Sequence, residues 1–175
     1  HARTLVSDRT RVIMPVDPFG QPADYFSLEQ LAGETGARVI ADAACSLGAS
    51  RDGRECGAHG DMGCFSFHPR KVVTCGEGGI VTTGDTALAD QLRLLRSHGS
   101  RRTEGQMLEF VVPGFNYRMT EIQSIIGINE LARFDDWNLP RRKAHAARYD
   151  AAFAEVDWIR ATPYNTPERQ NAYWW

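Results

Sequence analysis

The sequence predicts an α/β fold, a mainly parallel sheet flanked by helices, and three observations predict it. Short apolar or β-branched runs alternate with longer stretches at helical spacing. Clusters of Gly, Pro and Asp separate them. Two chemistry-bearing side chains, Asp42 and Lys71, stand at or just beyond the ends of apolar runs, where open α/β sheets gather their ligands. With 175 residues, 42% of them apolar and 24% charged, the chain can bury one sizeable core.

Residues 12–16 (VIMPV) form a short apolar run and read as a buried strand, and residues 17–24 (DPFGQPAD) have the Pro and Gly density of a loop. Ser27 with Gln30 makes a capping-box pattern that opens a helix to about Thr35, and Gly36 suits its end. Residues 38–42 (RVIAD) are a strand ending in a carboxylate. Residues 47–63, rich in Gly and polar side chains, read as loop or short helix. Residues 64–67 (CFSF) and 79–83 (GIVTT) are two further strands. Asp85 caps a helix to about Ser97 with Leu88, Leu92 and Leu95 along one side. Thr120 and Gln123 form a second capping box before a helix carrying Ile122, Ile125, Ile126, Leu131 and Phe134. A more polar helix follows over residues 140–153, with Pro140 in its first turn. Residues 162–170 read as loop, and residues 173–175 as the start of a strand.

Composition excludes some classes of function. A net charge of -2 argues against a protein that binds nucleic acid by neutralising phosphates. Arg101 and Arg102, and the run Arg141, Arg142, Lys143, are balanced by acidic residues elsewhere and read as solvated or sugar-facing surface. No apolar run approaches the ~20 residues that cross a bilayer, and the opening HARTLVSDRTR has no apolar signal region, so the expectation is a cytoplasmic protein without a membrane partner. Cys45, Cys56, Cys64 and Cys75 form no CxxC pair and read as free thiols of a reducing compartment. With His59 and His68 they have no recognised metal-ligand spacing, so no metal site is predicted.

Three residues could carry chemistry. Asp42 closes an apolar strand. Lys71 follows another, beside Val72 and Val73, where desolvation favours a neutral, nucleophilic amine, and the Gly-rich turn at residues 76–79 comes directly after. Ser66 sits on the strand before Lys71, with a hydroxyl able to donate to a phosphate. Each also has a plainer reading: Asp42 as a loop hydrogen-bonder, Lys71 as a surface lysine, Ser66 as a core hydroxyl bonded to backbone.

Taken together, VIMPVDPFGQPAD, VIADAACSLGA, GDMGCFSFHPRKVVTCGEGGIVTTGD, LRLLRSHGS and GFNYRMTEIQSIIGINEL resemble, in order, the DegT/StrS-type aminotransferases. These are fold-type I enzymes that use pyridoxal 5'-phosphate (PLP) to aminate keto sugars attached to nucleotides, in amino-sugar and polysaccharide biosynthesis. The resemblance implies that Lys71 carries the cofactor, that Asp42 holds its pyridine nitrogen and that Ser66 binds its phosphate. It implies further that Asn116 reaches that phosphate from the neighbouring subunit of a homodimer, with Arg118 supporting the same loop. Cys45 stands near the ring, where many members carry Gln or His, and Asp17 stands where His is common. Lys71 is kept where the dehydratase branch has His, which favours transamination.

The resemblance also divides the chain. Residues 1–138 would be part of the PLP-binding large domain, and residues 139–175 a linking helix and the start of a C-terminal small domain. Nothing here matches the family's N-terminal phosphate turn and ring-stacking aromatic, and the small domain is cut short after Trp175. The implied substrates are an amino donor, glutamate, and a keto sugar nucleotide. Two other readings stand beside this one: a non-catalytic or regulatory PLP-binding member of the family, and a zinc-binding α/β module built on the cysteines and histidines.

Overall fold

A computed structural model describes residues 1–102, 107–159 and 165–173. Strand β1 (Val12–Ile13) leads through helix α1 (Tyr25–Thr35) to strand β2 (Arg38–Asp42), which runs parallel to it, pairing Val12 with Arg38 and Ile13 with Val39. A separate parallel bridge joins Val16 to Asp42. The predicted strand over residues 12–16 is therefore present but interrupted.

Helix α1 begins two residues before the predicted Ser27. Asp24 is its cap. One carboxylate oxygen accepts the Ser27 N–H at 3.4 Å and the other accepts the Ser27 hydroxyl at 2.7 Å, so Ser27 donates to the cap rather than forming it. Gly36 ends the helix as expected, in the left-handed region at φ 70.

Residues 47–63 contain no helix. They hold a hairpin of β3 (Ser50–Arg51) and β4 (Arg54–Glu55), turned at Asp52 (φ 51) and Gly53 (φ 75). Positive φ at both turn residues is the geometry that an Asp-Gly pair favours, because the turn's twist then matches that of the strands.

Strand β5 (Met62–Ser66) lies parallel to β2, pairing Ile40 with Met62, Ala41 with Gly63 and Asp42 with Cys64. Strand β6 (Gly79–Thr82) completes the central sheet in the order β1-β2-β5-β6, but it runs antiparallel to β5. The cause is local. The connection between them has no crossover helix, and the Phe67 N–H donates to the Gly78 carbonyl at 2.8 Å, which folds the chain back on itself. The sheet is thus parallel over three strands with one antiparallel edge.

Asp85 caps α2 (Thr86–Arg96) by accepting the N–H groups of Ala87 and Leu88, as predicted. A short ribbon, β7 (Ser100–Arg101) with β8 (Glu109–Phe110), follows. The capping box at Thr120 and Gln123 opens α3 (Glu121–Ala132). Phe134 departs from the α3 stripe onto a single π-helical turn over Phe134–Asn138, which buries it. Helix α4 (Leu139–Phe153) has Pro140 in its first turn. Strand β9 (Arg169–Gln170) pairs antiparallel with β3, so the expected loop over residues 162–170 ends in a strand; its first residues lie outside the described ones. Tyr173 has φ 53 and is not in a strand; the rest of the strand predicted there lies outside the described residues.

The core is asymmetric. On β2, Val39 and Ala41 are buried with Ala32 and Ala37 on one side and with Tyr25, Ala43, Ala49 and Cys56 further along. Gly63 and Phe65 of β5 belong to that same face, because side chains alternate and Ala41 is the partner of Gly63. Ile40, Asp42, Met62, Cys64 and Ser66 occupy the opposite face and are only half-buried. The sheet therefore presents Asp42 and Ser66 on one side, at neighbouring strand ends.

Candidate active site

Lys71 lies on the connection between β5 and β6, and that connection is clamped from inside. The Phe67 carbonyl accepts the Cys75 N–H at 3.2 Å and the Thr74 hydroxyl at 2.9 Å, and the Lys71 N–H closes a turn onto the His68 carbonyl at 2.9 Å. Val73, 1% exposed, packs with Phe67, Cys75 and Phe134, and Leu47, Val72 and Met119 border that cluster. Burying the segment's valine fixes its backbone, and that in turn orients the neighbouring lysine.

The Lys71 amine turns inward. Its Nζ donates to Cys45 Sγ at 3.2 Å. Both groups line a cavity of about 10 Å³ with Ala44, Leu47, Phe65, Ser66, Phe67, Val72 and Val73. The structure thus brings Lys71, Cys45 and Ser66 together from three different segments. Asp42, three residues before Cys45, does not line this cavity but shares its face of the sheet with Ser66.

Asp42 and Ser66 have hydrogen-bonding capacity to spare. Asp42 Oδ1 accepts the Ala44 N–H at 3.1 Å, while Oδ2 accepts nothing from the described residues. Ser66 Oγ accepts the His68 N–H at 3.3 Å, which is the backbone bond of its plainer reading, yet its own O–H donates to no described residue. An amine, a carboxylate with one free oxygen and an unspent hydroxyl are the donor set that PLP requires for its carbonyl carbon, ring nitrogen and phosphate. The residues fit the group.

Asn116 and Arg118 stand elsewhere. Asn116 is exposed, bridges Ser97 in antiparallel fashion and accepts the Arg118 N–H at 3.4 Å. The Arg118 guanidinium donates to Ser97 Oγ at 2.9 Å, which ties this segment to the end of α2. Neither residue lines the Lys71 cavity.

One residue of the surroundings escaped sequence reasoning. Asp17, which the sequence marks only as a departure from the family, is fully buried. Its carboxylate accepts the Ala23 N–H at 2.8 Å, the Tyr25 hydroxyl at 2.7 Å and the Ser46 hydroxyl at 2.8 Å. Its own N–H donates to the Asp42 carbonyl at 3.1 Å. Asp17 therefore fixes both ends of the segment from Asp42 to Ser46 that carries Cys45. Burial, reinforced by the hydrogen bond to Asp17, pushes the Tyr25 hydroxyl's pKa far up, so it stays a donor.

A cleft of about 870 Å³ is a different place. It lies among the β3–β4 hairpin, the β5–β6 end of the sheet and α4, with His59, Asp61, Asp135 and Lys143 in its lining, and touches the Lys71 cavity only through Leu47 and Phe65. Its lining includes Lys143, Asp61 and Asp135 but none of Lys71, Cys45, Ser66 and Asp42. Among the described residues no three His, Cys, Asp or Glu side chains gather as metal ligands. The cysteines are all free thiols, and nothing joins them into the zinc site of the third reading.

The sequence matches the DegT/DnrJ/EryC1/StrS aminotransferase family over residues 1–175. It is 40% identical over 164 residues to dTDP-3-amino-3,4,6-trideoxy-alpha-D-glucose transaminase of Streptomyces venezuelae, covering 93% of this chain and 42% of that one. Among solved structures it resembles DesV of S. venezuelae in complex with a ketimine intermediate, at TM-score 0.89 and 36% identity over 98% of this chain and 45% of that one. It also resembles the PLP form of Spr1654 from Streptococcus pneumoniae, assigned as a sugar aminotransferase, at TM-score 0.89 and 26% identity over 98% and 48%. The chain spans less than half the length of the curated relatives it matches. From end to end, this chain belongs to the DegT/DnrJ/EryC1/StrS aminotransferase family.

Proposed function

We propose that this chain carries the central part of a PLP-dependent aminotransferase that moves an amino group from an amino acid, glutamate, to a keto sugar held on a nucleotide. The observation that carries the reading is the inward-turned Lys71 amine, held beside Cys45 and Ser66 at the strand ends where Asp42 keeps a free carboxylate oxygen. Bound there, PLP supplies an electron sink for the charge that develops at the donor's Cα.

The chain's own groups do the rest. Asp42, as a carboxylate, keeps the ring nitrogen protonated. Ser66 donates its free O–H to a phosphate oxygen. Cys45 borders the ring and holds Lys71 in place. Lys71 Nζ carries the cofactor at rest and, once displaced by the donor, serves as the base that takes the Cα proton and returns it one position away. The sugar then receives the nitrogen by the reverse sequence, which makes the exchange a two-stage, ping-pong transfer.

Asn116 reaches the phosphate from the neighbouring subunit, which makes the working unit a homodimer with shared sites. The exposed apolar side chains Phe110, Phe115 and Tyr117 around it support a covered surface there. Residues 1–138 are the large-domain part, and residues 139–175 are the linking helix and the start of a small domain. Among the described residues no helix is long and apolar enough to cross a membrane, and four free thiols suit a cytoplasmic setting. The product, an amino sugar on its nucleotide, suits polysaccharide assembly.

The test is transfer of isotopically labelled amino nitrogen from glutamate into a keto sugar nucleotide by the full-length protein with PLP. The wild type carries the label across, and Lys71→Ala loses the rate by about a thousandfold or more. Equal transfer by both would remove Lys71 from the chemistry. Tight PLP binding with no transfer to any keto sugar nucleotide would leave the non-catalytic binding protein in its place.

A further inference from the structure

Cys45 and Lys71 form a contact pair in their own right. Nζ is the hydrogen-bond partner of Cys45 Sγ among the described residues, at 3.2 Å, so no atom fits between them. The cavity they share has room for about one water, and Ala44, Leu47, Phe67, Val72 and Val73 supply apolar wall. Cys45 is only half-buried, which leaves a path for a small oxidant, and the group in contact with its sulfur is an amine rather than a second thiol. Cys56 and Cys75 are buried, and burial pushes the thiols of Cys56, Cys64 and Cys75 up, which keeps them protonated and unreactive.

We propose that Cys45 and Lys71 are a redox-modification site, at which peroxide oxidation of Cys45 leads to a covalent, thiol-reversible sulfur–nitrogen bond between Cys45 Sγ and Lys71 Nζ. In the first step the Cys45 sulfur attacks one peroxide oxygen. The O–O bond breaks, sulfur loses two electrons to become a sulfenic acid, and the second oxygen leaves as water. In the next step the neutral Lys71 amine attacks that sulfur. The S–O bond breaks, the leaving hydroxide takes a proton from nitrogen, and a second water departs. Two equivalents of a small thiol reverse the bond, restoring thiol and amine and leaving one disulfide. The geometry favours this product over further oxidation because the nucleophile is already in contact with the sulfur, so the reaction is intramolecular. The consequence rests on the function proposed above: the bond withdraws the lysine that the cofactor needs, so oxidant blocks cofactor loading and reductant restores it.

The test uses full-length protein with and without PLP, treated with dilute hydrogen peroxide, alkylated, digested with trypsin and read by mass spectrometry. A cross-link blocks cleavage after Lys71 and joins the peptide of residues 39–51 to that of residues 71–93, with a mass lower by two hydrogen atoms than their sum. The expected result is this pair in cofactor-free wild type, its loss on adding dithiothreitol, its absence in Cys45→Ser and Lys71→Arg, and its suppression by PLP. Cys45 recovered unmodified or as sulfinic acid, with Lys71 cleaved normally, would overturn the proposal. If PLP is fixed to Lys71 by borohydride yet no pair forms without PLP, this inference alone falls. If the pair forms equally with PLP and borohydride fixes nothing on Lys71, the cross-link stands and the cofactor role of Lys71 falls.

Discussion

Asp17 shows how much a single residue can organise. It is a carboxylate with no exposed surface, and it accepts three hydrogen bonds, two from the start of α1 and its approach (Ala23, Tyr25) and one from Ser46. Asp17→Ala would leave the Tyr25 and Ser46 hydroxyls buried without an acceptor. Unmet buried donors cost about 1–3 kcal/mol each, so the variant should lose roughly 3 kcal/mol in chemical denaturation; an unchanged midpoint would show that the cluster is not holding the segment. The sequence could not reveal this role. Ser46 lies far along the chain from Asp17, and no periodicity links the two. Asp42, Lys71 and Ser66 were ambiguous for the same reason: each residue type is common, and only their ordered resemblance to a family set them apart. The inward turn of Lys71 toward Cys45 is a tertiary fact, fixed by the burial of Val73 two residues on.

The secondary-structure elements were legible where local chemistry decides them. Asp85, and Thr120 with Gln123, mark helix starts because a cap is read within four residues of itself. The sequence puts the start of α1 at Ser27 rather than Asp24 because two cap-forming residues compete at one site and bond to each other. The β3–β4 hairpin has only Asp52 and Gly53 to signal it, because two-residue strands have no readable alternation. Its third strand, β9, comes from far along the chain and has no local signal at all.

Asp61 ties two elements together. It accepts the Val39 N–H at 2.8 Å and pairs with Arg38, at the start of β2. Burial works against its charge, but the Val39 amide and the Arg38 guanidinium more than offset that and hold its carboxyl below the usual carboxylate range. A carboxyl depressed in the folded state contributes stability that is present above its unfolded pKa and lost as pH falls through the folded one. Asp61→Asn should therefore flatten the acid limb of a stability–pH curve and leave the neutral-to-alkaline part parallel to wild type. An acid limb of unchanged steepness would show that the pair contributes nothing.

On the scale of the whole molecule, helices α2 and α4 bury none of their described residues and α3 buries only Gly127. Ile122 is 74% exposed and Ile125 60%, and exposed apolar surface of this kind marks a face that binds other protein. The chain spans under half of the length of the relatives it matches, and the partner subunit proposed at Asn116 would cover part of this surface. If sites are shared, Lys71→Ala and Asn116→Ala subunits fail separately, but a mixed dimer rebuilds one intact site from the unaltered halves. Mixing the two full-length variants should then restore transfer activity. No recovery in a demonstrated mixed dimer would place Asn116 and Lys71 in the same subunit's site, or Asn116 outside it.

The central claim is that Lys71 is the lysine on which PLP sits. The most direct measurement is borohydride reduction of the full-length protein with PLP, followed by peptide mapping. The expected result is a phosphopyridoxyl group fixed on Lys71 in the wild type, no such group in Lys71→Ala, and loss of the wild-type signal when glutamate is added before the borohydride. A group fixed on Lys143, spread over surface lysines, or found at equal level in the variant would contradict it.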